Sequence, residues 1–547
     1  MSARLRVAAF LAALVFPATS QSAEPAPTPK PSKDPADLLA ALIDKELAKD
    51  WEARGLIPAE MTDDAEFVRR VYLDLIGRAP KASEARRFLE DKSPDKRTKL
   101  VDSLLKMPGY ANHFASVTRA KWLPQTMNNF QLTQFGIQFE QWLETQYRNN
   151  TPADEIVRRL ITLKVRVNNQ NPMFRFVQPD ASDPDGFNLA GFYSANEGRP
   201  ENLGSAVSRL FLGVKLECAQ CHDHPFAPYT RDQFWQFAAF FAELNPLSGP
   251  RPGFVGPMEP QSDRNTIGIP GTDKIVTATF FNGQKPVWTP ERSPRVELAD
   301  WLVSAKNPYF AKNMANRMWE HFFGIGILDP VDEPGENHPP SHPELLNELG
   351  KAFAESGFDN RYLIRAITRT KTYQLTSKMT HPGQADPRRF ARMNLKGLTP
   401  SQLFDSLVAA TGFREPAFMR NQRNFGFAQP NNPRSQFLVR FASNERTTET
   451  NTTILQALML MNGDFIGNQT DLTKSEILAA IVDMPGWDTK QRVSNLFLTA
   501  FARNPTPEEL EKFSSYVDRG GAKGDKKQAL ADVFWVLLNS PEFLFNH

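Results

Sequence analysis

Cysteine is nearly absent from this chain: 547 residues hold two, Cys218 and Cys221. That rules out a framework of several disulfides and concentrates sulfur chemistry at one place. Charge of one sign is not in excess either. The formal net charge is +2, too balanced to argue for a nucleic-acid partner. Beyond the N-terminus no apolar run is long enough for a transmembrane helix. No G-x-S-x-G, H-E-x-x-H or phosphate-cradling glycine loop occurs, so the common hydrolase, zinc-protease and nucleotide signatures are missing. No fixed-period repeat of the solenoid kind is visible. Tyrosine is scarce, with 9 Tyr against 41 Phe. Such an excess predicts dry, aromatic-rich cores, with packing as its ordinary explanation.

The N-terminus reads as a targeting segment. Arg4 and Arg6 precede an apolar run from Val7 to Phe16, and Ala18, Ser20, Ser22 and Ala23 supply small residues. This is the pattern of a secretory signal peptide, expected over residues 1–23 with cleavage between about Ser20 and Ala23. No cysteine follows closely, so no lipid anchor is expected at the cut. The proline-rich stretch 24–35 reads as an extended tether. The expectation is an exported protein, periplasmic or extracellular, without a transmembrane segment.

The mature length exceeds a single hydrophobic core. Helical periodicity dominates, and the predicted fold is mainly α, in two helical domains joined by a Pro/Gly-rich connector with a short β hairpin. The boundaries expected are 36–244, a connector over 245–293, and 294–547. The hairpin is placed around Lys274–Phe281. Helix starts are marked at Thr62, Thr399 and Thr506, and a capping box at Ser341 and Glu344. Gly77 and Gly324 are placed to follow helix ends. Thr453–Met461 and Val493–Ala502 are apolar helical patterns. The stretches Asn168–Arg199 and Arg420–Arg434 read as loop, and Phe437–Phe441 as a short strand.

The stretch around which the chain is organised runs from Ser205 to Glu243, SAVSRLFLGVKLECAQCHDHPFAPYTRDQFWQFAAFFAE. Val207, Leu210, Phe211 and Val214 recur at helical spacing. Cys218, Cys221 and His222 then spell CAQCH, the C-x-x-C-H pattern of haem c attachment. Two thiols bond the two vinyl groups of one porphyrin, and the adjacent imidazole reaches the iron. A second helix follows, opened by a T-x-x-Q capping box at Thr230 and Gln233, with Phe234, Phe237, Ala238 and Phe241 as its apolar stripe. The site is expected on a bend between two packed helices.

Other uses of the same residues stay open. The thiols can close a local disulfide, bind a metal such as zinc with His222, Asp223 or His224, or remain free. A six-coordinate haem needs a second axial ligand. His321 and His342 are candidates, each against the plainer role of a hydrogen-bonded structural histidine. His224 is too near His222 to reach the opposite face of the ring, and Met459 and Met461 read as core. Asp329, Asp332, Glu333 and Glu336 cluster beside His338 and His342, either as a metal or acid–base site or as a solvated loop.

Longer strings carry a family resemblance. RRVYLDLIGRAP (Arg69–Pro80), LVDSLLKMPGY (Leu100–Tyr110) and FLGVKLECAQCHDHPF (Phe211–Phe226) resemble one domain. NPYFAKNMANRMWEHFFGIGILDPVDE (Asn307–Glu333), PPSHPELL (Pro339–Leu346), QALMLMNGDFI (Gln456–Ile466) and LLNSPEFLFNH (Leu537–His547) resemble another. In this order they are similar to the secreted planctomycete cytochrome-C-like proteins, which pair domain-of-unknown-function family 1549 with family 1553. The resemblance implies export and a C-x-x-C-H site but supplies no activity.

Three functions follow from the sequence. One is an exported haem c protein with an electron-transfer or redox role and a redox partner protein. The second is a non-haem metal enzyme acting on extracellular or surface polysaccharide. The third is a scaffold with a structural Cys218–Cys221 disulfide and no cofactor. The first requires a slot beside the sulfurs that neighbouring rings do not fill.

Overall fold

The computed structural model describes residues 34–168, 176–225, 227–244, 265–333, 338–414, 433–441 and 464–547. The expected leader, nearly all of the tether, the first part of the connector, most of the Arg420–Arg434 loop and the Thr453–Met461 pattern lie outside these residues.

The architecture is mainly helical, with two-stranded sheets only among the described residues. Local signals set many helix ends. Asp34 accepts from Ala36 N–H and caps the helix Pro35–Arg54, with Pro35 at its first position. Gly77 ends the helix Asp64–Ile76 at φ +76°. The capping boxes Thr230/Gln233, Thr399/Gln402 and Thr506/Glu509 are all formed. The expected hairpin is present as Thr266–Gly268 paired antiparallel with Ile275–Thr277.

Three expectations are corrected. Phe437–Phe441 is not a strand but the end of the helix Pro433–Phe441, with Phe437 packed on Phe404 at 5.4 Å. The Asn168–Arg199 stretch is not all loop. Phe176–Pro179 pairs with Val165–Asn168, and Gly186–Ala195 is a helix. The Ser341/Glu344 capping box does not form. His342 is the N-cap of Pro343–Glu355, and the Ser341 hydroxyl donates instead to the Ile327 carbonyl at 3.1 Å.

Among the described residues two apolar cores stand out. The first is phenylalanine-rich, as the composition implied. It takes Phe67, Phe139 and Phe211 from one side of the connector and Trp319, Phe322 and Leu349 from the other. The second is built later, from residues such as Leu407, Phe497, Phe501 and Phe534.

A buried polar hub joins distant parts of the sequence. The Asp74 carboxylate accepts from Lys396 Nζ at 2.6 Å, Asn546 Nδ2 at 2.7 Å and the Tyr373 hydroxyl at 2.8 Å. Lys396 also donates to the Phe322 and His321 carbonyls, and burial lowers its pKa. Beside it, Arg69 donates to the carbonyls of Ala500 and Phe543, and Arg70 to that of Leu375 and to Glu66. Both guanidinium groups are fully buried. Lys396 pairs with Asp74 and Arg70 with Glu66, whereas Arg69 is met by backbone carbonyls and its Nε has no partner among the described residues; these bonds offset part of the desolvation such burial costs.

His321 and His113 lie at the edge of this hub, their ring centroids 5.7 Å apart. Burial pushes both rings down to about 3. Two predictions follow from the hub. Lys396→Met strands a buried carboxylate and should lower stability by about 3–5 kcal/mol, while adding Asp74→Asn recovers much of it, read from urea midpoints. The second concerns acid. The folded rings stay neutral down to about pH 3, whereas histidines in the unfolded chain take protons near pH ~6.5. The unfolded state then binds more protons, so stability must fall as pH drops below ~6.5, by about 1.4 kcal/mol per pH unit per histidine. Urea midpoints between about pH 7.5 and pH 5 should show this slope, reduced in His321→Gln.

Candidate functional site

The C-x-x-C-H segment is presented by a helix that ends irregularly. Pro200–Val207 is α-helical, and Ser208–Leu212 widens into a π turn. Gly213 stops it at φ +70°, and a Cβ there would lie 2.7 Å from Asn313 Oδ1. Val207, Leu210, Phe211 and Val214, the stripe seen in the sequence, are all buried.

A helix end leaves carbonyls without partners. Here they are met by side chains from the helix Phe310–Phe323, on the far side of the connector. Asn313 Nδ2 donates to the Leu210 carbonyl and Arg317 to the Arg209 carbonyl, each at 2.7 Å. Just downstream, Lys215 N–H donates to the Asp332 carbonyl at 2.9 Å, and Lys215 Nζ pairs with Glu333 at 2.8 Å. The Glu333 contact raises the Lys215 pKa. The acidic cluster noted in the sequence therefore anchors the approach to the motif. Glu336 lies outside the described residues.

Residues Glu217–Gln220 form one 3₁₀ turn. With three residues per turn, positions 218 and 221 fall on the same side. Leu216 and Ala219 point inward and are buried, whereas Cys218 and Cys221 are exposed and unbonded. Phe234 and Phe237 of the next helix, and Phe241 in the 3₁₀ segment Ala239–Leu244 that continues it, are buried, whereas the two cysteines stay exposed.

His222 is exposed, and its Nδ1 lies 2.7 Å from the Asp223 carbonyl. A carbonyl only accepts, so Nδ1 carries the hydrogen, which in the neutral ring leaves the lone pair on Nε2. Two donors from the helix Arg231–Ala238 hold the turn at the Gln220 carbonyl: Trp235 Nε1 at 3.1 Å and Arg231 Nε at 3.3 Å. Arg231 also donates to the Pro270 carbonyl at 2.5 Å, and Lys274 pairs with Asp232, so the β hairpin is fastened to the same helix. His224 packs edge-on to Tyr229, which meets Phe281 at 5.1 Å.

The other histidine candidates have their polar contacts elsewhere. His321 Nε2 donates to the Asp74 carbonyl at 2.8 Å, within the buried hub. His342 is buried at its helix start, with Nδ1 3.0 Å from Ser341 Oγ and Nε2 3.5 Å from Asp50. Burial lowers its pKa. Among the described residues no group of three or more His, Cys, Asp or Glu is placed to hold a metal ion. Sequence reasoning missed Arg231, Trp235, Asn313 and Arg317. Only the i, i+4 spacing of the last two hinted that they share a helix face.

The fold and site thus define a two-part helical protein with a surface C-x-x-C-H turn braced from both parts. Residues 42–246 match PSCyt2, a protein of unknown function (DUF1549), and residues 294–517 match PSD1, a protein of unknown function (DUF1553). Together the matches span most of the chain, which belongs to the family that carries the first followed by the second. No curated protein and no solved structure matches it. No helix among the described residues is long and apolar enough to cross a membrane.

The bracing gives a prediction. Gly213→Ala forces a left-handed alanine against Asn313 and should cost about 1–2 kcal/mol from backbone conformation alone. Amide exchange at Val214 and Lys215 should accelerate, as measured by hydrogen-exchange mass spectrometry.

Proposed function

We propose that this chain is an exported c-type haem protein with an electron-transfer role. One observation carries the reading: two exposed, unbonded thiols on one side of a 3₁₀ turn adjoin an exposed imidazole whose lone pair is on Nε2. That donor set fits haem c. Cys218 and Cys221 would hold the porphyrin through thioether bonds, each thiol adding across a vinyl group. His222 Nε2 would ligate the iron, and its Nδ1–H, donated to a carbonyl, raises the ring's basicity as a ligand. When bound, haem supplies reversible one-electron chemistry at the iron.

The family label PSCyt2 is in keeping with this reading. The leader expected from the sequence matters to it, because haem c is attached outside the cytoplasm. His321 and His342 are engaged in other contacts, which leaves His222 as the ligand proposed here. Neither zinc nor a disulfide gains a specific observation.

The test is a visible spectrum of the exported protein made with a haem c attachment system. A Soret band that survives acid–acetone extraction is expected, lost in Cys218→Ala/Cys221→Ala. A colourless protein with stoichiometric zinc, or one lacking both metal and free thiols, would contradict the proposal.

A further inference from the structure

We propose that Asp223 is a positioning residue that fixes His222 with its hydrogen on Nδ1; the idea rests on the haem reading for its purpose but not for its test. The Asp223 carbonyl accepts the His222 Nδ1–H at 2.7 Å. Left alone, a carbonyl in an exposed loop would turn toward water. Two bonds prevent that. The Asp223 carboxylate accepts from the Arg231 backbone N–H at 2.8 Å, at the first residue of the helix Arg231–Ala238. A carboxylate there is also favoured by the helix dipole. The second bond acts on the peptide itself. The Asp223 C=O and the His224 N–H belong to one planar group. The His224 N–H donates to the Tyr229 carbonyl at 2.7 Å, which sets the direction in which the Asp223 oxygen points.

The ring of His222 is thereby preset before any iron arrives. Asp223 touches neither iron nor porphyrin in this account. It acts through the imidazole, as the group that orients a ligand and strengthens its basicity.

Four variants separate the contributions. Asp223→Ala removes the anchored carboxylate, whereas Asp223→Asn keeps an oxygen for the Arg231 N–H. Arg231→Pro deletes that N–H at a helix position where proline is tolerated. Arg231→Ala keeps it and controls for the lost guanidinium. The first readout is the ¹⁵N spectrum of His222 in unloaded protein, which distinguishes the Nδ1–H from the Nε2–H form. Wild type, Asp223→Asn and Arg231→Ala should show the Nδ1–H form. Asp223→Ala and Arg231→Pro should shift toward the Nε2–H form. The second readout is the midpoint potential of haem-loaded protein, which should rise in the same two variants as the ligand becomes less basic.

If Asp223→Ala does not fold, the Arg231→Pro and Arg231→Ala pair decides alone. An unchanged His222 tautomer in Asp223→Ala or Arg231→Pro overturns the positioning role, whatever haem does. A wild type without a Soret band defeats the haem reading while the tautomer comparison still stands.

Discussion

The helix that carries the motif ends in a π turn, and its last carbonyls need donors from elsewhere. Asn313 and Arg317 supply them, from the opposite side of the connector. Without those donors the Arg209 and Leu210 carbonyls would be left in a largely buried setting, at a cost of about 1–3 kcal/mol each. The second family region is therefore part of the machinery that presents the cysteines. Gly213 allows the close approach, and Lys215 extends the contact through Asp332 and Glu333. One side of the turn is held by these bonds and the other by Arg231 and Trp235, which leaves the sulfurs facing solvent on a fixed base.

The same interdependence recurs at the hub around Asp74. Charges from residues far apart in sequence meet in a dry interior, where each alone would be unfavourable. Lys396 and Asn546 converge on one carboxylate, and Arg69 reaches carbonyls near the C-terminal end. Such matching specifies which segments pack together more than it adds stability. It also explains why His321, which sits in a string shared with the family, serves packing. Its ring is neutral, hydrogen-bonded and surrounded by aromatic groups.

Legibility in the sequence followed the range of the interaction. The capping box at Thr230 and the helix starts at Thr399 and Thr506 depend on residues a few positions apart, and all were readable. The C-x-x-C-H string is equally local. Ser341 carried the same signature but found the Ile327 carbonyl as a partner, which no local pattern shows. Phe437–Phe441 was ambiguous because a short apolar run fits a strand or a buried helix alike. Arg69 and Arg70 sit in a quoted family string, yet burial of two guanidinium groups depends on carbonyls hundreds of residues away. The tautomer of His222 was likewise invisible, since it rests on the direction of one peptide plane.

The central claim is that residues 218–222 hold haem by covalent bonds. Its most direct measurement is the mass of the tryptic peptide Leu216–Arg231 from exported protein, taken under reducing conditions with a thiol-alkylating reagent. The account predicts a peptide heavier by one haem, with neither cysteine alkylated. A peptide without haem that takes up two alkyl groups would contradict it.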